Sequence, residues 1–327
     1  MIITRTPFRI SFAGGGTDLP SFYEQEPGAV LSTGIDKYMY LTVKERFGNT
    51  FRVSYSRTEL ADTIAQIEHP IVRECLKTLN VKQGLEIVSV ADLPSNSGMG
   101  SSSGFTVGLL HALHVLNGHL VTPHKLAEQA CHIEIDVLKE PIGKQDQFIT
   151  AYGGLKYIQF QPDGKVFVDP VICRRGTWEE LNRRLLLFFT GMTRNAGDVL
   201  IKQRANTESR RPALRKLSAL ASDLRDILTL GKDLNEFGRL LHTAWETKKS
   251  LESSISNSSI DDYYDRGLKA GALGGKLLGA GSGGFLLFFC EPHVRDRVRT
   301  ELSDLIEVPF SLEPEGSKVI FVGGDRW

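Results

Sequence analysis

The chain of 327 residues is short of cysteine, of net charge and of long apolar runs, and each shortage closes off a class of function. Its four cysteines, Cys75, Cys131, Cys173 and Cys290, stand far apart with no C-x-x-C spacing. That argues against a zinc ribbon or a disulfide framework and for a reducing, cytoplasmic setting. Lys+Arg and Asp+Glu both number 39, so the formal net charge is zero. No overall basic field draws the chain to nucleic acid, and no such partner is expected. No apolar run approaches the roughly 18 residues of a membrane helix. The N-terminal MIITRTPFRISF lacks the charged-then-apolar layout of a signal peptide, so neither a leader nor a membrane partner is expected. With 41% hydrophobic and 24% charged residues an ordinary globular core is affordable. The length suggests two domains.

The first third reads as strands. IITRTPFRISFA, YMYLTVKERF, FRVSYS and LEIVSVADLP are rich in β-branched and aromatic residues. From Ser102 to Asn117 the period becomes helical, with Phe105, Leu109, Leu113 and Leu116 on one stripe and Gly118 placed as a C-terminal cap. Thr122-Pro123 opens a second helix, a capping residue followed by proline. LKYIQF and QPDGKVFV resemble a hairpin. Residues 171–184 are polar, and LLLFFTG then begins a buried strand. Helical stretches are expected over 196–228 and 234–253. They precede strands in KLLGAGSGGFLLFF, a charged helix VRDRVRTELSDL and a last strand SKVIFVGG. Strands and helices interleave without steady alternation, which predicts two α+β domains, 1–180 and 181–327.

Between two apolar segments lies PSNSGMGSSSGF, residues 94–105, with five serines and three glycines. A small, polar loop leading into a buried helix presents backbone N–H groups at the positive end of the helix dipole, and so suits an anion. Serine hydroxyls add donors, and one can reach a magnesium ion. A serine-capped helix after a flexible loop is the plain alternative. Gly100 to Gly104 also spells G-x-S-x-G, the hydrolase nucleophile elbow with Ser102 as nucleophile. The long turn from Pro94 speaks against that elbow, and no lysine completes a Walker A loop. Gly279 to Gly284 spells G-x-G-x-x-G but leads into the strand FLLFF, which excludes a dinucleotide fingerprint. A tight turn remains, or a backbone loop against the same ligand as the first.

Glu134 falls at helical spacing on the stripe Leu126, Ala130, Ile133 and Val137. A carboxylate there is costly unless it is paired or binds metal, and the sequence leaves both open. Asp146 in GKQDQF could take or orient a hydroxyl proton, or cap a helix. Arg9 and Asp18 flank GGGTD. An arginine there could stabilise a phosphoryl group and an aspartate could bind sugar hydroxyls, or they could be a salt bridge and a turn.

Together, PFRISFAGGGTDLP, PSNSGMGSSSGF and GGKLLGAGSGGFLLFF resemble, in order, the three motifs of the GHMP kinases, and the resemblance covers nearly the whole chain. It implies a fold with an N-terminal domain like ribosomal protein S5 domain 2, a ferredoxin-like C-terminal domain, and ATP and Mg2+ between them. It implies that Ser95, Asn96, Ser97, Gly98, Met99, Gly100, Ser101, Ser102 and Ser103 wrap the ATP phosphates, with Ser102 and Glu134 at the metal. Asp146 would be the catalytic base, and Arg9, the basic residue of the first motif, would offset charge on the γ-phosphate. Asp18, with Gly15, Gly16, Thr17, Arg194, Gly281, Ser282 and Gly283, would hold the acceptor. Met99 stands where leucine is common, and Ser103-Gly104 where two alanines are. Gly15-Gly16 replaces the glutamate-histidine pair of galactokinase, which counts against galactose. FRISFAGGGTDLPSFY, GSSSGFTVGLLHAL, KQDQF and FFTGMTRNA look most like the heptose 7-phosphate kinase branch. That implies ATP-dependent phosphorylation of the anomeric hydroxyl of a heptose 7-phosphate, feeding nucleotide-activated heptose for surface glycans. A kinase of another sugar (fucose, galactose or hexosamine) and a non-catalytic ligand-binding relative are the alternatives. A monomer or homodimer acting on a small sugar or sugar phosphate is expected. An already phosphorylated acceptor would call for cations, for which Lys37, Arg52, Lys144 and Arg194 are candidates.

Overall fold

The architecture is carried by two long neighbouring strands, β1 (Ile2–Ala13) and β2 (Gly28–Glu45), in a computed structural model that describes residues 1–192, 200–201 and 206–323. They run antiparallel, with Arg9 opposite Gly34 and Ile10 opposite Thr33. Their register slips between Pro7 and Phe8. Proline has no N–H for the ladder, and a bulge absorbs the gap. Beyond it, residues 8–13 are all buried, whichever way they point, so this end of the sheet is covered on both faces.

Around this pair lie β3 (Phe51–Ser54), β4 (Thr58–Ala61), β5 (Leu85–Ala91), β6 (Leu155–Phe160) and β7 (Val166–Pro170). β6 and β7 form the expected hairpin, Phe160 opposite Val166. A second, four-stranded sheet comprises β8 (Leu185–Phe189), β9 (Gly274–Leu277), β10 (Phe285–Phe289) and β11 (Ile306–Glu307), in the order β11-β8-β10-β9. β12 (Leu312–Glu313) and β13 (Lys318–Val322) then return to the first sheet and pair with β2 and β1. A division of the chain at residue 180 puts these two strands in the second half, whereas their hydrogen bonds go to the first sheet. Two mixed α+β domains result, as the sequence indicates, with the end of the chain stitched back to its beginning.

The helices that matter for the site are α1 (Pro20–Tyr23), α2 (Pro70–Thr78), α3 (Ser101–Leu116), α4 (Pro123–Cys131), α5 (Gln145–Tyr152), α6 (Arg175–Arg184), α7 (Thr207–Leu230) and α8 (Leu234–Lys249). α3 and α5 pack on β1 and β2, while α7 rests on β2 and α8 on β1 and β9. α3 is buried almost all round, not on one stripe, as befits a central core helix. Gly118, at φ 74°, ends it as expected. Thr122 caps α4 by accepting from the Lys125 N–H at 3.2 Å.

Three expectations shift. Residues 171–184 contain α6, and the helix expected over 196–228 is described as Thr207–Leu230. The stripe through Glu134 loses its last member, since Val137 is exposed. Residues His132–Val137 form a π turn, with the Leu138 N–H donating five residues back to the Ile133 carbonyl at 2.9 Å. The wider turn shifts the phase of everything after it.

Candidate active site

A cavity opens where the first sheet, α3, α5 and the second domain meet. Its floor is the serine-glycine loop. Gly98 and Gly100, both at φ 77°, turn the chain into α3, and no side chain caps the helix. The first turn of a sixteen-residue helix therefore faces the cavity with its N–H groups, flanked by Ser101, Ser102 and Ser103. β1 anchors the loop, the Arg9 N–H donating to the Met99 carbonyl at 3.1 Å.

The second glycine loop, between β9 and β10, packs on the first one. A Cβ on Gly279 would sit 2.4 Å from Gly98 Cα, and one on Gly98 would sit 2.5 Å from the Leu278 carbonyl oxygen. Backbone meets backbone, which explains glycine on both sides better than turn chemistry alone. Gly279, Ala280, Gly281 and Gly283 reach the cavity. Ser282 turns away, its hydroxyl donating to the Ser254 carbonyl.

Glu134 is fully buried and faces this loop. It accepts from Ser102 Oγ at 2.7 Å, Ser103 Oγ at 3.0 Å and Gln147 Nε2 at 2.7 Å. No arginine or lysine pairs with it among the described residues, which removes the ion-pair alternative. Burial raises its carboxyl above the usual range, and the side-chain donors, Ser102 first, then Gln147, Ser103 and Thr106, only partly offset this. An anion held by neutral donors beside a solvent-facing Ser102 is a fitting half-shell for Mg2+, which takes few protein ligands and completes its set with water and phosphate. Among the described residues no cluster of three or more His, Cys, Asp or Glu forms a complete metal cage. The hydrolase alternative falls here too. Ser102 donates to Glu134, and among the described residues no histidine lines the cavity.

Opposite the loop, Asp146 in the first turn of α5 and Arg9 on β1 form a bidentate pair, with Nε to Oδ1 at 2.7 Å and Nη2 to Oδ2 at 2.8 Å. Arg9 Nη1 also donates to the Gly98 carbonyl at 2.5 Å, so one guanidinium ties the candidate base to the serine-glycine loop. Asp18 is buried with Oδ1 accepting from the Gly16 N–H at 2.9 Å and Oδ2 from the Gln145 N–H at 3.3 Å. Burial raises its carboxyl as well.

Of the residues singled out in the sequence, Arg9, Gly15, Gly16, Asp18, Asn96, Gly98, Gly100, Ser101, Ser102, Ser103, Asp146, Gly281 and Gly283 line one cavity. Thr17 does not, its hydroxyl being spent on the Gly14 and Ala29 carbonyls. Ser97 and Met99 are buried beneath the loop and Ser95 is exposed beside it. Lys37 pairs with Asp36, and Arg52 with Glu86 on the surface. Lys144 donates to the Gly164 carbonyl and lies over Tyr23. None of these three lines the cavity. Arg194 lies outside the described residues.

Sequence patterns passed over Gln145, Gln147, Lys248 and Lys276. Lys248, near the end of α8, lines the cavity, and its Nζ donates to the Gly279 carbonyl at 2.8 Å. Lys276 on β9 is buried and ties the domains by donating to the Ser11 and Phe12 carbonyls at 2.6 and 3.0 Å. A signal did exist for Lys248. It falls on the buried stripe Leu241, Ala244, Trp245 of α8.

Family models describing the GHMP kinases' N terminal domain and C terminal region match residues 70–154 and 211–307. Over 305 residues the chain is 29% identical to D-glycero-alpha-D-manno-heptose 7-phosphate kinase of Campylobacter jejuni, covering 89% of this chain and 90% of that protein. It is 25% identical over 345 residues to galactokinase of Pyrococcus furiosus, covering 91% of each. The fold matches the crystal structure of a D-glycero-D-manno-heptose 1-phosphate kinase from Bacteroides thetaiotaomicron with a TM-score of 0.82 at 24% identity, over 99% of this chain and 100% of that one. The last likeness speaks for the fold alone. With both halves matched in order and the three motifs converging on one cavity, the chain belongs to the GHMP kinases.

Proposed function

We propose that this protein is a cytoplasmic, ATP-dependent sugar kinase that phosphorylates the anomeric hydroxyl of a heptose 7-phosphate, supplying heptose for nucleotide activation and surface glycans. The observation that carries the phosphotransfer assignment is the convergence on one cavity of an uncapped helix N-terminus, Ser102 with Glu134 buried behind it, and the Arg9–Asp146 pair. The heptose assignment is supported by the similarity, over nine-tenths of both chains, to the Campylobacter heptose 7-phosphate kinase.

In this scheme the α3 amides and Ser101–Ser103 hold the polyphosphate. Ser102 and Glu134 would hold Mg2+, which would supply charge compensation on the phosphates. The acceptor hydroxyl oxygen attacks the γ-phosphorus and forms the new O–P bond. The bond from that phosphorus to the bridging oxygen breaks, ADP leaves, and the hydroxyl proton passes to an Asp146 carboxylate oxygen. Asp18 and the backbone of Gly15-Gly16 hold the sugar hydroxyls. Positioning and electrostatics supply most of the acceleration.

An ADP-release assay across heptose 7-phosphate, free heptose, fucose, galactose and hexosamines tests this. The expected result is the highest kcat/KM on heptose 7-phosphate. A preference for fucose or galactose would reassign the acceptor, and no ADP release with any sugar would overturn the sugar-kinase assignment.

A further inference from the structure

Arg9 is the basic residue that the sequence offers for charge on the moving phosphoryl group, yet its donors are largely committed. Two bind Asp146 and a third binds the Gly98 carbonyl. Lys276 is spent on two backbone carbonyls. Lys248 differs. It lines the cavity, it is 8% exposed, and among the described residues its ammonium has one acceptor, the Gly279 carbonyl. An ammonium carries three donors, so two remain to be met. A Cβ on Gly15 would lie 3.5 Å from Lys248 Nζ and 3.6 Å from Gln145 Nε2, so the ammonium sits across Gly15 from the residue next to Asp146.

Resting on the phosphotransfer assignment above, we propose that Lys248, reaching from the second domain, is the cation that donates to the oxygens of the phosphoryl group in transit between ATP and the acceptor. Its place beside Asp18 and Asp146 puts it at the reacting end of the cavity, not at a remote phosphate of the sugar. The ammonium gives hydrogen bonds and keeps its proton throughout. Because the lysine arrives on α8 and is held by the Gly279 loop, the site is complete only when both domains are in contact.

Among the described residues the charged groups facing Lys248 are Arg9 on β1, Asp18 in the turn after it, Asp146 on α5 and Lys276 on β9. Burial, then Arg9, lower its pKa to about 8, and Asp18 and Asp146 pull the other way. The charged ammonium therefore predominates below about pH 8 and gives way to the neutral amine above it.

The test is turnover from pH 6.5 to 9.5 for the wild type, Lys248→Arg and Lys248→Met, with ADP binding measured alongside. The wild type should lose turnover as pH rises through about 8. Lys248→Arg should keep measurable turnover without that alkaline limb, because a guanidinium stays charged. Lys248→Met should lose ~100-fold in kcat, the scale of removing one transition-state donor, while binding ADP as the wild type does. An alkaline limb shared by Lys248→Arg and the wild type, or a Lys248→Met kcat within about twofold of wild type, overturns the proposal. A Lys248→Met protein that fails to bind ADP also overturns it, since the lysine is then structural. A wild type that binds no adenine nucleotide overturns the kinase assignment itself, a result distinct from any of these.

Discussion

Glu134 in the first domain and Lys248 in the second each place a charge on an apolar helical stripe, and each is almost wholly buried. Their surroundings treat them differently. Glu134 is met by three donors, two serine hydroxyls and an amide, which fix both oxygens. Among the described residues Lys248 is met by one carbonyl. The first domain thus meets both oxygens of its charge with donors of its own, whereas the second delivers a charge with donors to spare. A buried polar group left short of partners is costly, and it persists where a ligand completes it. The serine-glycine loop and the Gly279 loop show the same division. The first forms the helix terminus that opens on the cavity, and the second presses on it backbone to backbone and accepts a bond from the lysine.

The comparison can be broken or sharpened by substitution. The largest effect is expected at the point both domains serve. Asp146→Asn should lower turnover by at least ~100-fold, the usual scale for loss of a general base, with nucleotide affinity retained. Steady-state kinetics at saturating ATP measure it, and near-normal turnover would remove Asp146 from the proton-accepting role. Next comes Glu134→Gln, which keeps the shape and removes the charge. The magnesium concentration for half-maximal turnover should rise about tenfold, within the range seen for altered metal-site partners, and an unchanged metal titration would leave Glu134 a structural acceptor.

A third effect concerns stability. Lys248 has its pKa lowered from 10.5 to about 8 in the folded protein. Below pH 8 both states carry the proton and the fold bears the whole cost of the buried charge. Between pH 8 and 10.5 the unfolded chain binds more protons than the folded one, so the fold gains stability as pH rises. Lys248→Met should therefore stabilise the protein at pH 7 by up to ~3 kcal/mol, an advantage that shrinks towards pH 10. Thermal unfolding across pH measures this, and a lower Tm at pH 7 would mean that the bond to Gly279 outweighs desolvation. The smallest effect is a control. Arg52 pairs with Glu86 on the surface, away from the cavity, so Arg52→Ala should change acceptor kcat/KM by less than about twofold, as exposed pairs contribute little.

Much of the first domain's share of the site was legible in the sequence. Small residues before an apolar helix, and a carboxylate on an apolar stripe, are local signals that survive folding, as Ser102 and Glu134 demonstrate. The long strands were legible too, because alternation and β-branched residues mark β1 and β2 wherever they pair. What was hidden depends on contacts between distant segments. The return of β12 and β13 to the first sheet is set by pairing with residues some 280 to 320 positions away. The salt bridge between Arg9 and Asp146 was an open alternative for Arg9, and its partner could not be named from a chain separation of 137. Lys248 carried the same stripe signal as Glu134 but sat in a long amphipathic helix, where lysine stems often lie along apolar surface with the head in water. Here the head turns instead to the Gly279 carbonyl, a contact the sequence does not announce.

A crystal structure with a non-hydrolysable ATP analogue and Mg2+ tests the central claim most directly. The polyphosphate should lie on the N–H groups at the start of α3, with the metal between Ser102 Oγ and Glu134. A nucleotide bound elsewhere, or a metal that leaves Glu134 untouched, would contradict the account.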